Sequence, residues 1–473
     1  MKKGTILAAV LGLPTVFGAT TTPTIATAEF IDPALYDGGK ARVNRSASLR
    51  ALSESVAAAS CRFHGGIDTD NAKQHLAADM DRFNVILAGL EHGNPALGIP
   101  TTETRGRTLA TIQETIGAWT PIAASAARLV SDRGTETDAA AIADGRAALF
   151  EQTVVLAAEI SGQYSNPQEL LQSDATILNF AGRQRALAHR MSRAICQLAT
   201  GTGGPETLAD LETAADLFER TLVALRSGMP EAGINPPPTD AVADSLDQTL
   251  ALWQEERGFL DAFLAGQTPG SDDVIAVTDL AHDIVVSMNN TITLYLIATP
   301  GKQGTYRVPL EAYAKGELAN WLTDPALIAA INAQNVRHAD LSDDEVIALD
   351  QEWRAEAGAD GGPLISGLLE HPVSEWLRSQ QTGTAGFVTE VFVMDNKGLN
   401  VAQSVETSDY WQGDEAKWQE TYLVGAEALH VGDVEFDDST GFYQSQASLP
   451  IVDPATGAVI GAITFGINVQ NLM

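Results

Sequence analysis

The sequence predicts a multidomain chain: two all-α four-helix bundles in tandem, then an α+β domain built on an antiparallel sheet. Three observations predict it. A long stretch repeats itself at a constant offset of 135 residues. Apolar residues in both copies recur at the three-and-four spacing of amphipathic helices, interrupted by Gly- and Pro-rich breaks. From Phe387 the period drops to two, which marks strands. The units are residues 29–165, 166–300 and 317–473, with a linker at 301–316.

Residues 1–28 stand apart. Lys2 and Lys3 precede an apolar run from Ile6 to Leu13, and small residues follow up to Ala26-Thr27-Ala28 before Glu29. That order of charge, apolar run and small residues reads as a secretory signal peptide, cleaved after Ala28 or, as a weaker option, near Ala19. A retained anchor is the competing reading, but the run is shorter than the roughly 18 apolar residues a membrane span needs, and no later stretch reaches that length. The expected location is periplasmic or secreted.

The chain of 473 residues carries 61 Asp+Glu against 29 Lys+Arg, a formal charge of −32. Such a surface repels nucleic acid and anionic lipid, which argues against both as partners. An apolar content of 45% is ordinary for a folded protein, so the acidity signals solubility and not disorder. The two cysteines, Cys61 and Cys196, permit one disulfide in an oxidising compartment.

At the offset of 135, Asn44 aligns with Asn179, Arg50 with Arg185, Ala51-Leu52 with Ala186-Leu187, and Cys61 with Cys196. Asp81, Phe83, Leu87, Leu90, Gly93 and Gly98-Ile99 align with Asp216, Phe218, Leu222, Leu225, Gly228 and Gly233-Ile234. Trp119 meets Trp253 after a one-residue slip. One offset held over about 55 residues is an internal duplication. Helices are expected near 41–62, 70–91, 102–130 and 136–161, and again near 174–199, 206–227, 240–265 and 272–296. Pro236-Pro237-Pro238 cannot continue a helix, and Thr239 or Asp240 can cap the next one.

The segment DATILNFAGRQRALAHRM, residues 174–191, resembles the opening helix of PilJ-type sensor domains, whose pattern is N-x-A-G-x-x-R-M-x-S-x-R. Asn179, Ala181, Gly182, Arg185 and Arg190 stand at matching positions, with Ala186 and Ala188 replacing Met and Ser. The first copy matches at Asn44, Ser48-Leu49-Arg50 and Ser53, but has Ala47 for Gly and Ser55 for the second Arg. The resemblance implies a sensing module of the kind found in type IV pilus chemotaxis transducers and nitrate/nitrite sensor kinases. In the nitrate sensors the first Arg of each of two paired helices holds one anion between them. By that resemblance Arg50 and Arg185, with Asn44 and Asn179, are the implied anion ligands.

Arg50 precedes Cys61, and Arg185 precedes Cys196, by about three helical turns, so each pair shares a helix face. A disulfide between the cysteines would set the two helices side by side. The guanidiniums would then repel unless an anion or carboxylates lay between them. In the competing reading, the arginines pair with the chain's own acids. His189 is a pH-dependent second donor beside Arg185 or a plain surface residue; Glu54 holds its place in the first copy, so no symmetric role fits it.

Beyond residue 300, helices are expected at Leu310–Leu322, Pro325–Asn335, Asp343–Glu356 and Leu364–Arg378. The segment FVTEVFVMD, a turn at Asn396-Lys397-Gly398 and LNVAQS read as a hairpin; Tyr443–Val452 and Ala458–Val469 read as another. This order of elements resembles a single Cache (PAS-like) sensor domain. The resemblance implies a pocket for a small organic acid, amino acid or amine, lined by Asp409, Tyr410, Trp411, Gln412 and Asp414. Tyr410 and Trp411 equally suit plain packing against the sheet.

No G-x-S-x-G, H-E-x-x-H, Walker loop, G-x-G-x-x-G or C-x-x-C-H occurs, and His and acids show no metal-ligand spacing. No catalysis, cofactor or metal is expected. With no kinase or methyl-accepting coiled coil in view, the expected function is an exported, soluble ligand-binding sensor. It would report to a separate membrane partner, a histidine kinase or chemoreceptor. A substrate-capturing component of a transporter, and a scaffold that binds no ligand, are the alternatives.

Overall fold

A computed structural model of the chain describes residues 36–164, 172–298, 304–359, 361–384, 386–437 and 441–472. The expected signal peptide lies outside the described residues. Each repeat forms four helices. They are α1 (Gly39–His64), α2 (Thr69–His92), α3 (Gly106–Val130) and α4 (Glu136–Tyr164), then α5 (Gln172–Ala199), α6 (Pro205–Ser227), α7 (Asp240–Leu264) and α8 (Ser271–Ala298). Within a repeat the first helix packs on the second and fourth, and the third packs on the same two. The aligned aromatics pair in both interiors, Phe83 stacked on Trp119 at 4.1 Å and Phe218 tilted against Trp253 at 4.6 Å. Even the breaks repeat: Asn94 bridges Ile99, and Met229 bridges Ile234.

The repeats meet along α1 and α5, the most extensive contact between any two elements. Asn44 lies against Arg185, Asn179 against Arg50, and Cys61 is bonded to Cys196. The two helices therefore run parallel, related by a pseudo-two-fold axis along their length. This arrangement buries α5 on two faces. Leu187, Met191 and Ala194 are buried, and so are Arg185, Ser192 and Cys196 on the polar side.

Six helices and six strands follow: α9 (Arg307–Gly316), α10 (Pro325–Arg337), α11 (Asp343–Ala357), α12 (Pro363–Leu369), α13 (Pro372–Gly383), α14 (Ala416–Gln419), and β1 (Val388–Met394), β2 (Asn400–Gln403), β3 (His430–Val431), β4 (Glu435–Asp437), β5 (Phe442–Val452) and β6 (Val459–Asn468). The sheet is antiparallel in the order β2-β1-β6-β5-β3, with β4 also on β5. The chain is thus mostly helical and multidomain, with a C-terminal antiparallel sheet.

Three expectations need correction here. The linker at 301–316 holds a helix from Arg307: Pro309 falls in its first turn, where a missing N–H costs nothing, and Leu310 and Ala314 are buried. The single helix expected over Leu310–Leu322 breaks after Gly316 into a 3₁₀ turn, Leu318–Thr323. The helix expected over Leu364–Arg378 splits at Pro372, which supplies no N–H to a continuing ladder and instead opens α13.

The sheet-bearing region docks on the helical pair through its last residues. At Gly98, whose φ is +69°, a Cβ would come 2.3 Å from the Leu472 carbonyl oxygen, so only glycine admits this approach.

Candidate functional site

At the α1/α5 seam the four residues singled out in the duplicated motif come together, and they exchange partners. Arg50 Nη1 donates to Asn179 Oδ1 at 2.8 Å and Nη2 to the Asn179 carbonyl at 3.3 Å. Arg185 Nη2 donates to Asn44 Oδ1 at 3.1 Å. Parallel pairing of identical helical segments produces this crossing, because each Arg lies nearly two turns beyond its own Asn. Gly182 makes it feasible: a Cβ there would sit 3.1 Å from Arg50 Nη2 and 3.4 Å from Arg185 Nη2. Both guanidiniums thus close on one point of the α5 backbone.

Both arginines are buried, and among the described residues neither has a carboxylate partner. Burial first, then Arg50, Arg82 and Arg45, pull Arg185 down to about 9; burial and then Arg183 pull Arg50 down to about 10. Both remain charged at neutral pH. The Arg185 Nε is buried without a hydrogen-bond acceptor among the described residues. Neutral amide oxygens hold these cations without neutralising them, which is the electrostatic state that attracts an anion.

The seam is symmetric here and asymmetric further along. On the α4/α6 side the acid Glu54, fully buried, accepts from Arg193 Nε at 2.8 Å and Arg146 Nη1 at 2.7 Å. Asp210 accepts from Arg193 at 2.7 Å and from Arg190. Those arginines are satisfied internally. On the α2/α8 side the aligned positions of Glu54 and Asp210 are His189 and His75. His75 faces His282 with ring centroids 6.5 Å apart, and Arg62 Nη2 lies 3.0 Å from His75 Nδ1. Ser55 donates to Asp79 at 2.5 Å.

Burial, then His282, His75, Arg185 and Arg62, push His189 down to about 3. The folded state therefore keeps His189 neutral where the unfolded chain would protonate it, so stability is lost as pH falls below the ordinary value of about 6.5. His189→Gln is expected to lessen that acid-side loss in thermal melts between pH 6.5 and 4. An unchanged acid limb would remove His189 from its cause.

In the sheet-bearing region the five residues of the expected pocket mostly bind one another and the backbone. Tyr410 is buried and stacks on Trp353 at 5.5 Å, which is packing. Trp411 Nε1 donates to the Lys397 carbonyl at 2.9 Å. Asp409 pairs with Arg354 at 3.0 Å and accepts from Gln412. Asp414 is exposed. Beside them lies a polar group that alternation concealed: Asn400, Gln403 and Gln412 are buried, and among the described residues Asn400 Oδ1, Gln403 Nε2 and Gln412 Oε1 have no hydrogen-bond partner.

Among the described residues no group of three or more His, Cys, Asp or Glu is placed to hold a metal ion, and no helix is long and apolar enough to cross a membrane.

These features define the class: a duplicated helical module built around a buried arginine pair, joined to a sheet-bearing region. Residues 36–145 and 169–274, together a little under half of the chain, match the PilJ family, described as the N-terminal part of type IV pili methyl-accepting chemotaxis transducers. Two segments of this chain are thus of PilJ type. The methyl-accepting chemotaxis protein McpN of Pseudomonas aeruginosa is 27% identical over 117 residues, covering 25% of this chain and 21% of the relative. The chain spans about a fifth of the length of that relative. The solved sensor domain of the V. cholerae histidine kinase DctB overlaps 34% of this chain and 58% of that one at 13% identity, with a TM-score of 0.18. A likeness that low says nothing of fold or function.

Proposed function

We propose that this protein is a sensory input module of signal transduction. Each helical repeat is a four-helix bundle of the PilJ sensor type, and the α1/α5 seam binds one small oxyanion between Arg50 and Arg185. The observation that carries the reading is the reciprocal pairing of two buried, carboxylate-free arginines with Asn44 and Asn179 across the pseudo-two-fold axis. The duplicated chain supplies in one polypeptide what a two-fold homodimer supplies with two. The match of both repeats to a chemotaxis-transducer family supports sensing over transport or scaffolding. In this reading the protein is exported, binds its ligand outside the cytoplasm and reports to a membrane kinase or chemoreceptor.

A second ligand position is favoured by one observation. The unpaired amide atoms of Asn400, Gln403 and Gln412 suit a small polar ligand in the sheet-bearing region, which would then act as a Cache-like sensor.

A thermal-shift screen of residues 29–473 with nitrate, nitrite, phosphate, carboxylates, amino acids and amines tests both. Ligand at 100 times its Kd is expected to add about 2.7 kcal/mol. An anion shift that Arg185→Ala abolishes supports the seam, whereas one that survives it refutes the seam. A shift abolished only by Gln412→Leu moves sensing to the sheet-bearing region. Stability unmoved by every compound would leave a scaffold.

A further inference from the structure

The arginine pair is wired to the sheet-bearing region through α8. Arg185 Nη1 donates to Asn289 Oδ1 of α8 at 2.8 Å. The next residue, Asn290, is turned roughly 100° around the helix and reaches the sheet-bearing region instead. Its Oδ1 accepts from Gln470 Nε2 at 2.5 Å, and its Nδ2 donates to the Gly441 carbonyl at 3.2 Å. Gly441 leads into β5 and Gln470 follows β6, two neighbouring strands of the sheet. A second connection returns to the seam: Arg45 of α1 donates to the Gln470 carbonyl at 2.6 Å and to Asn471 Oδ1 at 3.3 Å.

The duplication supplies a control for these contacts. The positions aligned with Asn289, Asn290 and Arg45 are Val154, Val155 and Phe180, none of which can make such side-chain bonds. The Arg–Asn crossing is kept in both repeats, while the polar link is present on α8, which packs against β5 and the turn after β6, and has no counterpart at the aligned positions of α4. Docking alone would require Asn290 and Arg45 but not Asn289, whose amide oxygen is spent on Arg185.

We propose that Asn289 positions Arg185 and, with Asn290, forms the step through which an anion at the seam alters the β5 and β6 ends. The inference rests on the reading of the seam as an anion site. An anion that takes up Arg185 Nη1 competes with Asn289 Oδ1, and release of that contact lets α8 turn or slide against α5. Asn290 is rigidly part of the same turn, so Gln470 and Gly441 follow. Coupling of this kind is reciprocal: whatever strains the strand ends changes anion affinity by the same factor.

Hydrogen–deuterium exchange on residues 29–473, with and without sodium nitrate and separately sodium phosphate, tests it. At least one anion is expected to slow exchange in α1 and α5 and to change exchange at 442–446 and 466–472 by about threefold or more. Asn290→Ala is expected to silence the strand response while leaving affinity within about threefold, and Gln470→Ala should do the same if the first variant folds poorly. A seam response without a strand response overturns the coupling alone. A strand response that survives both variants overturns the Asn289–Asn290 route. No response in α1 and α5 to either anion refutes the anion site, and the coupling falls with it.

Discussion

Glu54→Ala is expected to destabilise the protein by about 3 kcal/mol, near the lower end of what removing one partner of a buried ion pair costs. Glu54 has no exposed surface and ties three helices together: it lies on α1, accepts from Arg193 on α5 and accepts from Arg146 on α4. Truncation leaves Arg193 buried with one carboxylate fewer, though Asp210 and Gln197 still accept from it. Arg146 is partly exposed and recovers water, so the loss falls mainly on Arg193. Urea unfolding of Glu54→Ala, Arg193→Met and the double variant measures this directly. The double variant is expected to lose less than the two single losses combined, because the charge stranded in the first is absent in the second. A cost below about 1 kcal/mol for Glu54→Ala would mean that the Cys61–Cys196 disulfide, the Arg–Asn bonds and apolar packing hold the α1/α5 seam without help from this ion pair.

Much of this arrangement was legible in the sequence because duplication doubles every signal. Phe83 with Trp119, and Phe218 with Trp253, align from the sequence alone, and each pair meets in the interior of its repeat. The eight helices of the repeats follow from long helix-compatible stretches between Gly- and Pro-rich breaks, and both long hairpins follow from alternation. The Arg–Asn crossing was not legible in detail, since its partner exchange depends on helices running parallel in register. Asn289 gave no signal at all: its aligned residue is Val154, and its role exists only through Arg185. Strands β3 and β4 are too short for a period to register. The buried amides Asn400 and Gln403 sit on a strand with both faces covered, where alternation does not separate inside from outside.

Glu256 is the residue whose burial the sequence could have disclosed, and its replacement carries the second large effect. Along α7 the buried stripe runs Val242, Leu246, Thr249, Trp253, Glu256, Leu260, Phe263, so a carboxylate falls at a core position. The aligned residue of the first repeat, after the one-residue slip, is Ile122, which is buried. Both Glu256 oxygens are buried without a hydrogen-bond partner among the described residues, and burial pushes the carboxyl up to about 8. The folded state thus holds a proton that the unfolded chain releases near the ordinary carboxyl range. Stability from this group is fully present below about pH 4.5 and is lost as pH rises through about 8. Glu256→Ile, which restores the residue of the first repeat, is expected to stabilise the protein by about 3 kcal/mol at pH 7, and by less at pH 5. Glu256→Gln should remove the pH dependence but keep the unpaired polar atoms, so its gain should be smaller. Thermal and urea unfolding of the three proteins at pH 5, 7 and 8.5 decides the matter. If the parent shows no fall in stability relative to Glu256→Ile between pH 5 and 8.5, the carboxyl is solvated or paired, and the core of the second repeat is looser than that of the first.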